Sequence, residues 1–147
     1  MILGITGTQK GITKKQLKTF IDLLIELNID EMHHGDCIGA DYDAHMFCRK
    51  YKNNTKIIVH PPIDDKKRAN CEGDVILDPK KYLQRNHDIV DTCNLLIGFP
   101  YTGTEVTRSG TWATIRYARK IRKDYMLIFP NGELSIIEYN EKFGEEE

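Results

Sequence analysis

The sequence has little of several features that would narrow its function at once. Its formal net charge is only −1 at pH 7, so it lacks the basic excess that is typical of proteins that bind duplex DNA. It has no apolar run near the roughly 20 residues that a membrane-spanning helix needs. Met1 leads directly into strand-like sequence rather than into a signal peptide. We therefore expect a cytoplasmic protein with no membrane span and no duplex DNA as a partner.

Metal-binding and cofactor motifs are also missing. The cysteines are Cys37, Cys48, Cys71 and Cys93. They form no C-x-x-C pair, which favours reduced thiols over a structural zinc site. His33 and His34 are adjacent, so on a strand they would point to opposite faces, and no third ligand near His45 has suitable spacing. The first glycine-containing loop, residues 4–11, matches neither G-x-G-x-x-G nor a Walker loop. We expect no metal and no bound cofactor.

The apolar periodicity predicts an α/β fold. Strands are predicted at residues 2–6, 31–34, 56–60, 95–99 and 125–129, and helices at residues 13–27, 39–52, 82–93 and 110–122. Strands that alternate with helices indicate a three-layer, Rossmann-like fold, with a mostly parallel sheet of about five strands and helices on both faces. Residues 134–139 follow an Asn-Gly turn and are expected to add a C-terminal edge hairpin strand.

The chain length of 147 residues suits one domain spanning residues 1–147. Two segments fall outside the regular pattern. Residues 61–80 have no strong period, and we expect them to form a lid loop that contains short structured pieces. Residues 140–147 are predicted to be a solvated acidic tail.

Three turns rich in small residues should meet at the carboxyl ends of the strands, where ligands of parallel sheets bind. The first is Gly7-Thr8, and the second combines Gly35-Asp36 with Gly39. The third lies between the strand at 95–99 and the helix that starts near Ser109. Its first-turn amides lack intrahelical acceptors and carry the positive end of the helix dipole, which suits a phosphate. The candidate phosphate ligands here are Gly103, Thr104, Ser109, Gly110 and Thr111.

Four further side chains are candidates for sugar binding or catalysis. Asp36 or Asp41 would suit ribose hydroxyls, although Asp41 is about equally well explained as a helix cap. Arg85, next to Asn86, would pair with a phosphate or a catalytic carboxylate if the helix tilts towards the crevice, but its spacing fits a surface arginine better. Glu105 is the carboxylate of the third turn and would serve as acid, base or oxocarbenium stabiliser, or simply lie on the surface.

These residues together resemble the SLOG superfamily, named for the DNA-processing protein Smf and the Lonely Guy enzymes, and especially its small bacterial and phage branch related to YpsA and YspA. The resemblance spans about residues 2–130. It rests on Gly7-Thr8, Gly35-Asp36 with Gly39-Ala40-Asp41, Lys67-Arg68-Ala69 with Cys71, Arg85-Asn86 with Ile89-Val90, and Ser109-Gly110-Thr111-Trp112. It implies a nucleotide-binding Rossmann-like fold that self-associates.

Lonely Guy enzymes hydrolyse the N-glycosidic bond of nucleoside 5′-monophosphates. By this resemblance Arg85 takes the place of their arginine and Gly110-Thr111 that of their Gly-Thr, whereas Thr114 stands where they have a glutamate. Hydrolysis would then need Glu105 or Asp41. Two main functions remain open: an N-glycosidase that acts on nucleoside 5′-monophosphates, or a non-catalytic protein that senses or sequesters a nucleotide signal. A structural protein with a vestigial pocket is a third possibility.

Overall fold

A computed structural model describes residues 1–139, which contain seven strands and four helices. The strands are β1 (Ile2–Gly7), β2 (Glu31–His34), β3 (Lys56–Val59), β4 (Val75–Ile76), β5 (Leu95–Phe99), β6 (Tyr125–Ile128) and β7 (Leu134–Ile137). The helices are α1 (Lys14–Glu26), α2 (Ala40–Tyr51), α3 (Tyr82–Thr92) and α4 (Gly110–Lys120). The predicted acidic tail lies outside the described residues.

The strands form one sheet with the order β4-β3-β2-β1-β5-β6-β7. All neighbouring pairs are parallel except β6 and β7, which are antiparallel. The predicted α/β class with a mostly parallel sheet and a C-terminal edge strand is confirmed. The predicted number of about five strands, besides the C-terminal edge strand, is wrong, because the sheet has seven in all. The strand that was not predicted is β4, whose two residues are too few to show a hydrophobic period.

Segment 61–80 is more structured than a plain loop. It contributes β4 to the sheet edge, and Pro62 pairs with Lys80 in an isolated parallel bridge. A second isolated bridge joins Arg68 to Cys37, in the loop between β2 and α2. Part of the segment is therefore attached to the rest of the fold.

The helices pack in two pairs, α1 with α2 and α3 with α4. Successive strand side chains point to opposite faces of the sheet, so β5 directs Ile97 towards α1 and α2 and Leu96 towards α3 and α4. The first core is centred on Phe20 and Phe99, whose rings meet edge to face with centroids 5.1 Å apart. The second core holds Trp112 and other residues of α4.

Helix-start signals in the sequence occur where they were expected. Thr13 caps α1 in a capping box with Gln16, and the hydroxyl of Ser109 accepts a hydrogen bond from the Trp112 amide at 3.2 Å. Both caps satisfy amides that have no intrahelical acceptor. No helix within residues 1–139 is long and apolar enough to cross a membrane.

The strand order reverses at β1. From β1 the chain builds outward through β2 and β3 on one side, and it then returns to place β5 on the other side. The carboxyl ends of β1 and β5 therefore mark the switch point at which parallel α/β sheets bind their ligands.

Candidate functional site

A cavity of about 680 Å³ opens at this switch point. Its wall is formed by the end of β1 and the following loop, the start of α2, the first two turns of α3 and the start of α4. Predicted site residues on the wall are Gly7, Thr8, Gly35, Asp41, Arg85, Asn86, Ser109, Gly110 and Thr111. The structure thus brings together all three of the predicted turns at one cavity.

The start of α4 offers an anion site. Gly110 and Thr111 are the first two residues of the helix, so their amides lack intrahelical acceptors. Arg108 lies beside them on the cavity wall. A phosphate here would meet free amides, the positive end of the helix dipole and a guanidinium.

Arg85, a predicted member of the site, is buried, with 5% of its surface exposed. Its Nη1 donates to the carbonyl oxygens of Gly35 and His60, the latter at 3.2 Å, and its Nε donates to Asn86 Oδ1 at 2.7 Å. The interpretation of a surface arginine is therefore wrong. A Cβ at Gly35 would lie 2.6 Å from Arg85 Nη1, so glycine there makes room for the guanidinium.

The guanidinium of Arg85 is not neutralised by a carboxylate within 4.0 Å among the described residues. The Nη2 atom of Arg85 lies 3.8 Å from the Cys37 sulfur, and the Cζ atom lies 5.2 Å from the centre of the Tyr82 ring. A buried cation that faces a cavity without a counterion favours an anionic ligand.

Asp41 is the one carboxylate among the residues of the cavity wall. It is buried, with 6% exposed, and its Oδ2 accepts a hydrogen bond from the Cys37 amide at 3.2 Å. Its Oδ1 has no hydrogen-bond partner within the described part of the chain. Burial raises the pKa of Asp41 to about 6, against the opposing effects of the Arg85 charge and of the nearby backbone amides of Cys37 and Gly35.

Asp36 and Gly39 lie off the cavity wall, contrary to expectation. Asp36 is fully buried at a φ of 59° and accepts hydrogen bonds from Arg68 Nε at 2.7 Å and from the Cys71 amide at 2.8 Å. Its carboxylate is thus used within the protein. Gly39 has a φ of 93°, and a Cβ there would lie 2.4 Å from the Thr8 carbonyl oxygen. Close backbone packing, rather than ligand contact, explains this glycine.

Glu105, Gly103 and Thr104 are also outside the wall. Glu105 forms ion pairs with Arg116 at 3.0 Å and Arg119 at 3.3 Å. The hydrogen bond from Arg116 is the main reason that the pKa of Glu105 is lowered. The carboxylate is thus held by two arginines of α4 that do not line the cavity. Thr114 is likewise occupied, since its hydroxyl donates to the Gly110 carbonyl oxygen at 2.9 Å.

Three cationic residues of the wall were not predicted from the sequence, namely Lys10, Lys67 and Arg108. Lys10 also lies over the ring of Tyr101, another wall residue, at 5.3 Å. Lys10 follows the Gly7-Thr8 turn and Arg108 directly precedes Ser109, and this proximity was the available signal. Lys67 comes from segment 61–80, and its only signal was its place in the family resemblance.

A possible metal cluster lies off the cavity wall. The nearest ligand atoms of His34, His45 and Cys71 are within 4.8 Å of one another, so the expectation that no third ligand would be near is wrong. However, His34 Nδ1 accepts a hydrogen bond from the Asp36 amide at 2.9 Å, and its Nε2 lies 2.9 Å from His45 Nδ1. A neutral His34 with Nδ1 as acceptor carries its proton on Nε2, so neither nitrogen is free to bind a metal.

Comparisons with known proteins give a fold but no family. No family model and no curated protein matches this chain. Among solved structures, it is similar to the molybdenum cofactor binding protein from the phototrophic bacterium Rippkaea orientalis, with a TM-score of 0.66 and 18% sequence identity. The similarity covers 87% of this chain and 76% of that chain. At this identity the match shows a shared α/β fold.

Proposed function

We propose that the cavity at β1 and β5 binds a nucleotide or a nucleotide-derived ligand through its phosphate. One observation carries the proposal: Lys10, Lys67, Arg85 and Arg108 line the cavity with a single carboxylate, in a protein whose formal net charge is −1. Cations concentrated in one concave site attract an anion. The open amides of α4 suit a phosphate in particular.

The structural neighbour supports a small-molecule ligand, since it is described as binding the molybdenum cofactor. The same proposal includes a Rossmann-like fold of the SLOG type in a single domain over residues 1–147. It also includes a lid at residues 61–80, a cytoplasmic location and self-association. Size-exclusion chromatography with light scattering tests self-association.

Binding is tested by calorimetric titration with inorganic pyrophosphate and with adenosine and guanosine monophosphates. Arg108→Gln removes one guanidinium at the start of α4 and is expected to weaken binding by about tenfold or more, since a hydrogen bond between charged groups contributes about 1.5–3 kcal/mol. The matched control is Lys120→Gln, which removes a cation at the exposed end of the same helix. Absence of binding by the wild type, or equal loss in both variants, contradicts the proposal.

A second candidate is hydrolysis of the N-glycosidic bond of a nucleoside 5′-monophosphate. The observation that favours it is the position of Asp41, a carboxylate on the cavity wall next to Arg85. The bond between the base and C1′ would break, water oxygen would bond to C1′, and the base would leave with a proton. Positive charge developing on the sugar would be stabilised by the Asp41 carboxylate. Chromatography of incubated nucleotides distinguishes the two functions: free base supports hydrolysis, and intact bound nucleotide supports a sensor or sequestering protein.

A further inference from the structure

We infer that the ligand of this cavity donates a hydrogen bond to Asp41 and that its phosphate and its donor group lie on opposite sides of β1. The inference rests on the proposed function and narrows the ligand class. The ligand must carry both an anionic group and a hydroxyl or N–H group at a distance from it.

The placement of the two anchors follows from the strand order. Asp41 is in the first turn of α2, which follows β2, and Ser109–Thr111 start α4, which follows β5. β2 and β5 flank β1, and α2 and α4 pack on opposite faces of the sheet. A ligand that reaches both anchors therefore crosses the carboxyl end of β1. A nucleoside monophosphate offers both kinds of group, because its ribose and base donors lie apart from its phosphate.

The need for a donor follows from Asp41 itself. Buried polar atoms in native proteins almost always have a hydrogen-bond partner, yet Asp41 Oδ1 has none in residues 1–139. The nearby guanidinium of Arg85 directs its hydrogen bonds to Gly35, His60 and Asn86 instead. An ionised carboxylate only accepts hydrogen bonds, so its partner must be a donor. Because Asp41 lines the cavity, a ligand bound there can supply this donor.

Two parts of a nucleotide offer this chemistry, the ribose hydroxyls and the N–H groups of the base. Inorganic pyrophosphate has phosphate groups but neither ribose nor base. Comparing the affinity for nucleotides with the affinity for pyrophosphate therefore separates the contact with Asp41 from the attraction between the phosphate and the cations of the cavity.

The experiment is calorimetric titration of the wild type and of Asp41→Asn with adenosine monophosphate, guanosine monophosphate and pyrophosphate. Asparagine preserves the shape but replaces one acceptor oxygen by a donor. We expect nucleotide affinity to fall by about tenfold or more, whereas pyrophosphate affinity stays the same or rises because a negative charge has been removed. The matched control is Asp43→Asn, in the same helical turn, since Asp43 accepts from the Ile12 amide at 3.0 Å and lies off the wall.

The outcomes separate this inference from the proposed function. If the wild type binds pyrophosphate and nucleotides but Asp41→Asn binds nucleotides equally well, the inference is wrong and the proposed function stands. If the wild type binds none of them, both are wrong. Loss of affinity for 2′-deoxy or 3′-deoxy nucleotides in the wild type identifies a ribose donor, and loss with a changed base identifies a base donor.

A crystal structure of the wild type with the tighter nucleotide provides a test that does not depend on the folding of a variant. We expect a ligand oxygen or nitrogen within about 3.2 Å of an Asp41 oxygen. Bound nucleotide with an ordered water molecule as the partner of Oδ1 would overturn the inference.

Discussion

Four histidines of this protein are buried and joined in pairs. His33 Nδ1 lies 2.8 Å from His60 Nε2, and His34 Nε2 lies 2.9 Å from His45 Nδ1. Burial lowers the pKa of His60 to about 4 and that of His34 well below its usual value. The rings of His34 and His60 are therefore neutral in the folded protein at pH 7 and act as hydrogen-bonding groups rather than as charges.

His60 makes the stability of the protein depend on pH. An unfolded histidine takes up a proton near pH 6.5, whereas folded His60 does so near pH 4. The contribution of neutral His60 to stability is therefore complete above pH 6.5 and is lost as the pH falls towards 4. The free energy of unfolding of the wild type should fall between pH 7 and pH 4. In His60→Gln it should fall by about 1–3 kcal/mol less. Denaturant titration at both pH values measures it.

The control for that prediction is His87→Gln, which changes a half-buried histidine stacked on Tyr117. The raised pKa of Asp41 acts in the opposite direction, because its contribution is present below about pH 4 and is lost as the pH rises through 6. In the wild type, Asp41 therefore offsets part of the loss of stability that His60 causes at low pH. The same pH dependence in His60→Gln and in the wild type would contradict our account of His60.

Part of segment 61–80 is hydrogen-bonded to the loop between β2 and α2. Asp36 provides most of the attachment: its carboxylate binds Arg68 and the Cys71 amide, and its carbonyl oxygen accepts from the Ala69 amide at 2.7 Å. The Ile38 amide donates to the Lys67 carbonyl oxygen at 2.9 Å. This attachment holds Lys67 at the cavity wall, so any lid movement of the segment would have to leave residues 67–71 in place.

We therefore expect Asp36→Asn to destabilise the protein by about 3 kcal/mol, because it leaves Arg68 without its buried partner. It should also accelerate hydrogen exchange of the Ala69 and Cys71 amides, which mass spectrometry or NMR would detect without any ligand. The control is Asp64→Asn in the same segment, where the exposed carboxylate accepts only from the Lys66 amide. Unchanged exchange in Asp36→Asn would show that other contacts hold the segment.

The whole molecule is built as two cores that share one sheet. Phe20 belongs to the core under α1 and α2, and Trp112 belongs to the core under α3 and α4. The side chains of β5 alternate between them, so loss of one core exposes strands that the other needs. We expect both cores to unfold in a single transition.

Phe20→Ala tests this expectation across the sheet. It should lower the free energy of unfolding by about 3–5 kcal/mol. The fluorescence of Trp112, the single tryptophan, should report the same shift as far-UV circular dichroism, although it lies in the other core. Leu83→Ala, at an exposed position of α3, serves as the control and should change stability by less than about 0.5 kcal/mol. Two separate transitions in Phe20→Ala would show that the cores unfold independently.

Three features could be predicted from the sequence: the α/β class, the helix starts at Thr13 and Ser109, and the meeting of three turns at one edge of the sheet. They follow from local periodicity, capping and the geometry of parallel strands, all of which depend on neighbouring residues. Four others became visible in the three-dimensional fold, namely the burial of Arg85, the pairing of Glu105 with arginines, the internal hydrogen bonds of Asp36 and the position of Lys67 at the cavity. Each of these depends on which residues from a distant segment of the chain lie beside the side chain. The two-residue strand β4 likewise depends on its pairing with β3.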